Sequence, residues 1–219
     1  MFFGLGLPFL QLFLFSGGDN SDFNILNYAM PIIVVITAMV LCFMDSAFSH
    51  AYARQIKFLR RLRMTPVKPV NYITAGILSR LAVLVVFTIT FIGISAISFD
   101  VDIAGRNWLL FGGVLLLVFA MLYLFSMFIA NVMKRAKTSQ NLLYVVFFGM
   151  LFLSGAFFPT DQMPAALRVI AENTPAVFSI NILQYAWQGT NLFYGYSFIA
   201  VSALTVLFGV LSVKFFSFE

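Results

Sequence analysis

Charge is scarce in this chain. Asp, Glu, Lys and Arg make up 10% of its residues, against 62% hydrophobic, and the mean hydropathy is +0.99. These values exclude an ordinary soluble globular domain, in which about a quarter of residues are charged. Cys42 is the sole cysteine and lies in an apolar run, and His50 is the sole histidine. An internal disulfide is therefore excluded, and no Cys/His cluster exists to hold a metal. The sequence has no GxxxxGK phosphate loop, no GxGxxG turn and no GxSxG elbow. Any ATP used with this protein must then be bound elsewhere. No apolar segment carries a pair of candidate acid and base residues, which argues against a membrane enzyme. We expect no catalytic residue, and no cofactor bound by the chain itself.

What the chain does have is six apolar stretches, separated by loops that alternate in charge. Arg54, Lys57, Arg60, Arg61, Arg63 and Lys68 fill one loop; Lys134, Arg135 and Lys137 fill another, and Lys214 closes the last stretch. The intervening loops carry Asp19 and Asp22, then Asp100 and Asp102, then Asp161 and Glu172. With Arg80 counted in the loop it follows, 11 of the 13 Lys and Arg residues fall on one side, and only Arg106 and Arg168 on the other. Lys and Arg are retained on the cytoplasmic face during insertion. The chain therefore reads as an all-α integral membrane protein with a basic inner face. The net charge of +5 belongs to loops facing anionic lipid headgroups, and gives no reason to expect nucleic acid.

Crossing about 30 Å of hydrocarbon takes roughly 20 helical residues. We expect spans at 28–49, 71–98, 107–131, 140–158 and 194–216, in one transmembrane domain over residues 1–219. Phe2–Phe15 is also apolar but shorter, and no basic residue precedes it, so it is not a signal peptide. It reads as the outer part of a span whose lead-in is missing, or as an unusually short first helix. Six spans would leave both termini inside.

Two segments fit neither span nor ordinary loop. In Arg54–Met64, Ile56, Phe58, Leu59 and Leu62 interleave with cations at helical spacing, and Pro66 and Pro69 stop the pattern. This predicts a short amphipathic helix at the inner surface, either resting on anionic lipid or docking a cytosolic partner. On the outer side, Met163–Asn173 and Ala176–Gln188 are each too short to span, and are bounded by Pro159, Pro164, Pro175 and Gly189. Apolar helices broken by proline predict a re-entrant or interfacial pair over 160–190.

These two segments carry a resemblance. Phe152-Leu153-Ser154-Gly155-Ala156-Phe157-Phe158-Pro159, then Met163-Pro164 and Thr174-Pro175, is similar to the (L)SGxFFP element of type-2 ABC exporter permeases. Leu59-Arg60-Arg61-Leu62-Arg63-Met64-Thr65-Pro66-Val67 resembles that family's first cytoplasmic loop. The resemblance covers residues 28–216 in the family's order. It implies a half-transporter that pairs with a second permease copy or a homologue, and that is driven by a separate ATPase subunit binding ATP and Mg. It also implies export through a plasma (inner) membrane of a bacterium or archaeon. Carried over, the coupling role falls on 54–64, with Arg54, Lys57, Phe58, Arg60, Arg61 and Leu62 meeting the ATPase. The outer gate falls on Phe152, Phe157, Phe158, Pro159 and Pro164. Ala53-Arg54-Gln55 lacks the acidic residue that relatives often carry there, so a specific salt bridge to the ATPase is not implied.

Asp45 and Arg80 lie near the inner ends of their spans, where an unpaired charge is costly. They are expected to pair for structural reasons, with Arg80 snorkelling as an alternative; a coupling or substrate role is the other reading. The scarcity of charge at membrane depth favours an amphiphilic cargo, such as a drug, a lipid or a lipid-linked molecule, over a small ion. A long hydrophilic glycan stays open. The competing readings are a transporter or channel that works without an ATPase, and a membrane scaffold.

Overall fold

The computed structural model describes residues 23–58, 69–99, 107–132, 136–155, 164–189 and 196–215. Among them every regular element is helical. In hydrocarbon, backbone N–H and C=O groups find no water, and a helix is the structure that satisfies them within one segment. Helix α1 (Phe23–Val40) runs without a break into a π-helical turn, Leu41–Ser46, and then into α2 (Ala47–Gln55). Next come α3 (Pro69–Phe99), α4 (Trp108–Val132) and α5 (Ala136–Leu153). The short α6 (Ala165–Glu172) and α7 (Pro175–Gln188) precede α8 (Tyr196–Lys214). Four stretches are long and apolar enough to cross a membrane: Ala29–Ser46, Val70–Ile97, Trp108–Val132 and Tyr196–Lys214. Helix α5 begins with the polar run Ala136-Lys137-Thr138-Ser139-Gln140-Asn141 and is not among them. The expected first span, 2–15, lies outside the described residues.

Helix α4 is the hub. It packs against α1, the π turn, α2, α3, α5, α7 and α8. Phe119, Leu122, Tyr123 and Ala130 on α4 are fully enclosed, as are Val35, Ile36 and Met39 on α1. Burial separates an inner pair from an outer pair of spans: 78% of Ala29–Ser46 is buried and 61% of Trp108–Val132, against 28% of Val70–Ile97 and 22% of Tyr196–Lys214. The exposed residues of α3 and α8 are apolar, including Leu78, Val86, Ile89, Ile97, Ile199, Val206 and Val210, as a lipid-facing surface requires. Association in lipid rests on close packing and interhelical hydrogen bonds, not on water exclusion. Ser212 on α8 accordingly donates to the Leu124 carbonyl of α4 at 2.7 Å, and Ser139 on α5 to the Ala130 carbonyl at 3.3 Å.

Local signals fix where α7 begins and ends. Thr174 is its N-cap, its hydroxyl accepting from the Val177 N–H, and Pro175 takes the first turn, where a missing N–H costs nothing. Gly189, in the left-handed region at φ 72°, closes the far end. With 14 residues, α7 is about 21 Å long, too short to span. It is nevertheless sunk into the bundle against α1, α4, α5 and α8, with Phe178, Ile182, Leu183 and Trp187 buried. At its end Trp187 meets Phe111 and Trp108 edge-on, with centroids at 5.4 and 6.2 Å.

One expectation needs correction. The amphipathic segment 54–64 is not a single helix. Arg54 and Gln55 are the last residues of α2, and the chain turns at Ile56 and Lys57, with Lys57 in the left-handed region at φ 58°. A helix continuing the apolar spacing would need right-handed dihedrals there, so Arg54 and Phe58 belong to different elements. Leu59, Arg60, Arg61 and Leu62 lie outside the described residues.

Truncating the aromatic wedge tests the packing of α7. Trp187→Ala should cost on the order of 3 kcal/mol, visible as a lowered unfolding temperature of the detergent-solubilised protein. An unchanged unfolding temperature would show that α7 is not held by this contact.

Candidate functional site

The C-terminal ends of α2, α4 and α8 meet the N-terminal ends of α3 and α5, and polar side chains gather at this end of the bundle. His50, on α2, is 1% exposed. Its Nε2 lies 2.8 Å from Oδ1 of Asn131 on α4, and its Nδ1 3.2 Å from the Tyr72 hydroxyl on α3. A carbonyl oxygen only accepts, so Nε2 carries the proton and donates to Asn131. Nδ1 and the Tyr72 hydroxyl share the other hydrogen bond, with direction set by the ring tautomer. One imidazole thus ties three helices together. The rings of His50 and Tyr72 also stack obliquely, 5.6 Å apart.

A second tie lies one turn further along. Arg80 on α3 points at Asp45 in the π turn, Nε to Oδ2 at 3.5 Å. The contact is an ion pair without a hydrogen bond, for the Nε–H is buried and unbonded among the described residues. The π turn is what aims Asp45. Its extra residue per turn is marked by the Ser46 hydroxyl, which donates to the Leu41 carbonyl five residues back at 3.0 Å, and such bulges recur at functional sites. Ser49 donates to the carbonyl of Asp45 at 2.6 Å.

A third contact depends on a missing side chain. The Tyr123 hydroxyl of α4 fills the space over Gly76 of α3, and a Cβ at Gly76 would overlap it. Between these three contacts lies a cavity of about 240 Å³. One wall is formed by Ser46, Ser49 and His50, and the facing wall by Tyr72, Gly76, Ser79 and Arg80 of α3. Tyr123 and Met127 form the floor.

The bundle places the residues singled out in the sequence very differently. Asp45 and Arg80 come together. Lys57 and Phe58 are exposed at the same end of the bundle. Phe152 is 57% exposed near the end of α5 and Pro164 is exposed ahead of α6; Phe157, Phe158 and Pro159 lie outside the described residues. The aromatic cluster at that far end is Trp108, Phe111 and Trp187, with Phe111 and Trp187 buried and Trp108 45% exposed; no sequence motif marks it. His50, Tyr72, Asn131 and Tyr123 were also passed over. Lone polar residues in apolar helices carry no spacing signal.

The description "ABC-2 type transporter" fits this chain from residue 1 to residue 187, in a match to the family's membrane domain. The chain belongs to the ABC-2 type transporter family. No curated protein matches it. The ABC-2 membrane domain is a permease component and not a nucleotide-binding domain, so the helices described here form a multi-pass membrane protein. In this permease α8 follows the matched region and completes the packing around α4.

The histidine tie can be tested directly. His50→Leu keeps the bulk but removes both hydrogen bonds. Intramembrane hydrogen bonds are worth about 0.6 kcal/mol on average, and a buried amide left without a partner costs roughly 1–3 kcal/mol more. The variant should therefore be less stable, and amides in 71–80 should exchange faster than those of α4. Equal exchange in the two proteins would mean that His50 does not hold α3.

Proposed function

We propose that this permease is one half of an ATP-driven exporter that moves an amphiphilic cargo outward and takes its energy from a separate ATPase subunit. The observation that carries the reading is the ABC-2 membrane-domain match over residues 1–187, in a sequence with no phosphate-binding loop of its own. Two permease chains, alike or homologous, complete the pathway. Six spans place both termini in the cytoplasm of a bacterial or archaeal cell. The segment from Arg54 to Met64, turned away from α2 at Lys57, meets the ATPase. Because that segment leaves α2 only a few residues after His50, a push on it reaches α3 and α4 through the imidazole. Helices α6 and α7 form the outer pair, with α7 embedded among the spans and α6 presenting Leu167, Val169 and Ile170 outward. The ion pair of Arg168 and Glu172 at 2.7 Å holds the polar side of α6.

Gradient-driven transport fits less well. It needs ionisable groups in mid-membrane. Within the four candidate spans the charged residues are Asp45, Arg80 and Lys214. The first two neutralise each other and the third ends its helix.

Reversing charge on the docking segment separates coupling from folding. Arg60→Glu with Arg61→Glu should abolish co-purification of an ATP-binding-cassette subunit while the permease still inserts, since the remaining inner cations keep its orientation. Retention of the subunit at wild-type stoichiometry would rule out docking at this segment.

A further inference from the structure

We propose that the cavity between α2, α3 and α4 is a binding site for an oxyanion headgroup, a phosphate or carboxylate, presented by an amphiphile of the inner leaflet. Its volume of about 240 Å³ far exceeds the roughly 10–15 Å³ that one water requires. The hydrogen-bonding state of its walls decides what it accepts. Most donors facing it are already used. The Tyr72 hydroxyl is bonded to His50, and Ser46 and Ser49 donate to backbone carbonyls. Ser79 donates to the Gly76 carbonyl at 3.1 Å and receives a bond from Arg80 Nη1 at 3.2 Å.

Two donor groups remain. One is the Arg80 guanidinium, which spends one Nη1–H on Ser79 and whose Nε is buried against Asp45, leaving its remaining Nη–H groups. The other is the Tyr123 hydroxyl, held over Gly76 with no hydrogen bond among the described residues. Both lie on the cavity wall and both call for an acceptor. A planar cation with a phenolic donor beside it is suited to oxyanions, which accept several charge-assisted hydrogen bonds at once. Asp45 sits across the guanidinium and partly neutralises it, which keeps the empty site affordable in hydrocarbon and makes its affinity moderate.

Access fits the same ligand. Ala75 and Ser79 on the α3 wall are exposed, and Arg80 is 25% exposed, so the cavity opens along the lipid-facing side of α3. Leu78, Val85, Val86 and Ile89 continue that side as an apolar surface. A headgroup can therefore enter while its acyl chains stay in the bilayer. The site does not require that an ATPase drive the chain.

The test is binding to the intact permease in phosphatidylcholine nanodiscs, with dioctanoyl phosphatidic acid, dioctanoylglycerol and inorganic phosphate as probes. Phosphatidic acid should bind saturably and dioctanoylglycerol should not. Arg80→Gln should weaken binding by about tenfold or more, as expected for loss of a charge-assisted contact, and Tyr123→Phe by a few fold. Asp45→Asn, which leaves every proposed contact in place, should tighten it, and so guards against mistaking misfolding for lost contacts. Competition by inorganic phosphate identifies a site that reads the free oxyanion; its failure to compete identifies a lipid headgroup site. Equal binding of dioctanoylglycerol, or unchanged binding in both Arg80→Gln and Tyr123→Phe, overturns the proposal.

Discussion

A hydrogen-bonding group placed in hydrocarbon has no water to fall back on, and this constraint organises the whole molecule. Backbone groups meet it by forming helices. Side chains meet it by pairing across helices, and in this permease the strongest pairing is concentrated at one end of the bundle. His50 bonds to both Tyr72 and Asn131, Asp45 answers Arg80, and Ser139 and Ser212 bond to carbonyls of α4. The far end is closed by Trp108, Phe111 and Trp187, stacked edge to face. One end is tied by polar contacts and the other is wedged by aromatic rings.

That division bears on how the chain could work. Helix α3 is long; its outer half buries Leu84, Phe87, Phe91 and Ile92 in the core, and its more exposed inner half is held by three separate side-chain attachments. The attachments are Tyr72, Gly76 and Arg80, each one turn from the next. Their partners sit on α2, α4 and the π turn. A displacement of the segment following α2 would act first on this inner half of α3. The π turn lies between the tightly buried α1 and the shorter α2, where a local change of helical pitch can alter the direction of α2 without moving the core.

Much of this was legible in the amino-acid sequence, and the reasons are physical. Long uninterrupted apolar runs demand helices, so Val70–Ile97 and Trp108–Val132 follow from composition and length. The caps of α7 are written as Thr174-Pro175 and Gly189. The Asp45–Arg80 contact follows from the cost of isolated charge. Other features left no periodic trace. The π turn depends on how α1 packs, and the left-handed Lys57, which divides the amphipathic segment, is a residue type that does not announce positive φ. His50, Tyr72 and Asn131 are far apart in sequence, and only the helix packing brings them together. The cavity over Gly76 depends on a side chain that is absent from one helix and a hydroxyl that comes from another.

The central claim is that ATP hydrolysis in a partner drives an amphiphile through this permease. Its most direct measurement is the accumulation of a short-chain fluorescent phospholipid inside inverted membrane vesicles that contain the permease and its co-expressed ATPase. The account predicts accumulation that requires ATP, stops with vanadate and persists when the proton gradient is collapsed. Accumulation that follows an imposed gradient without ATP would contradict it.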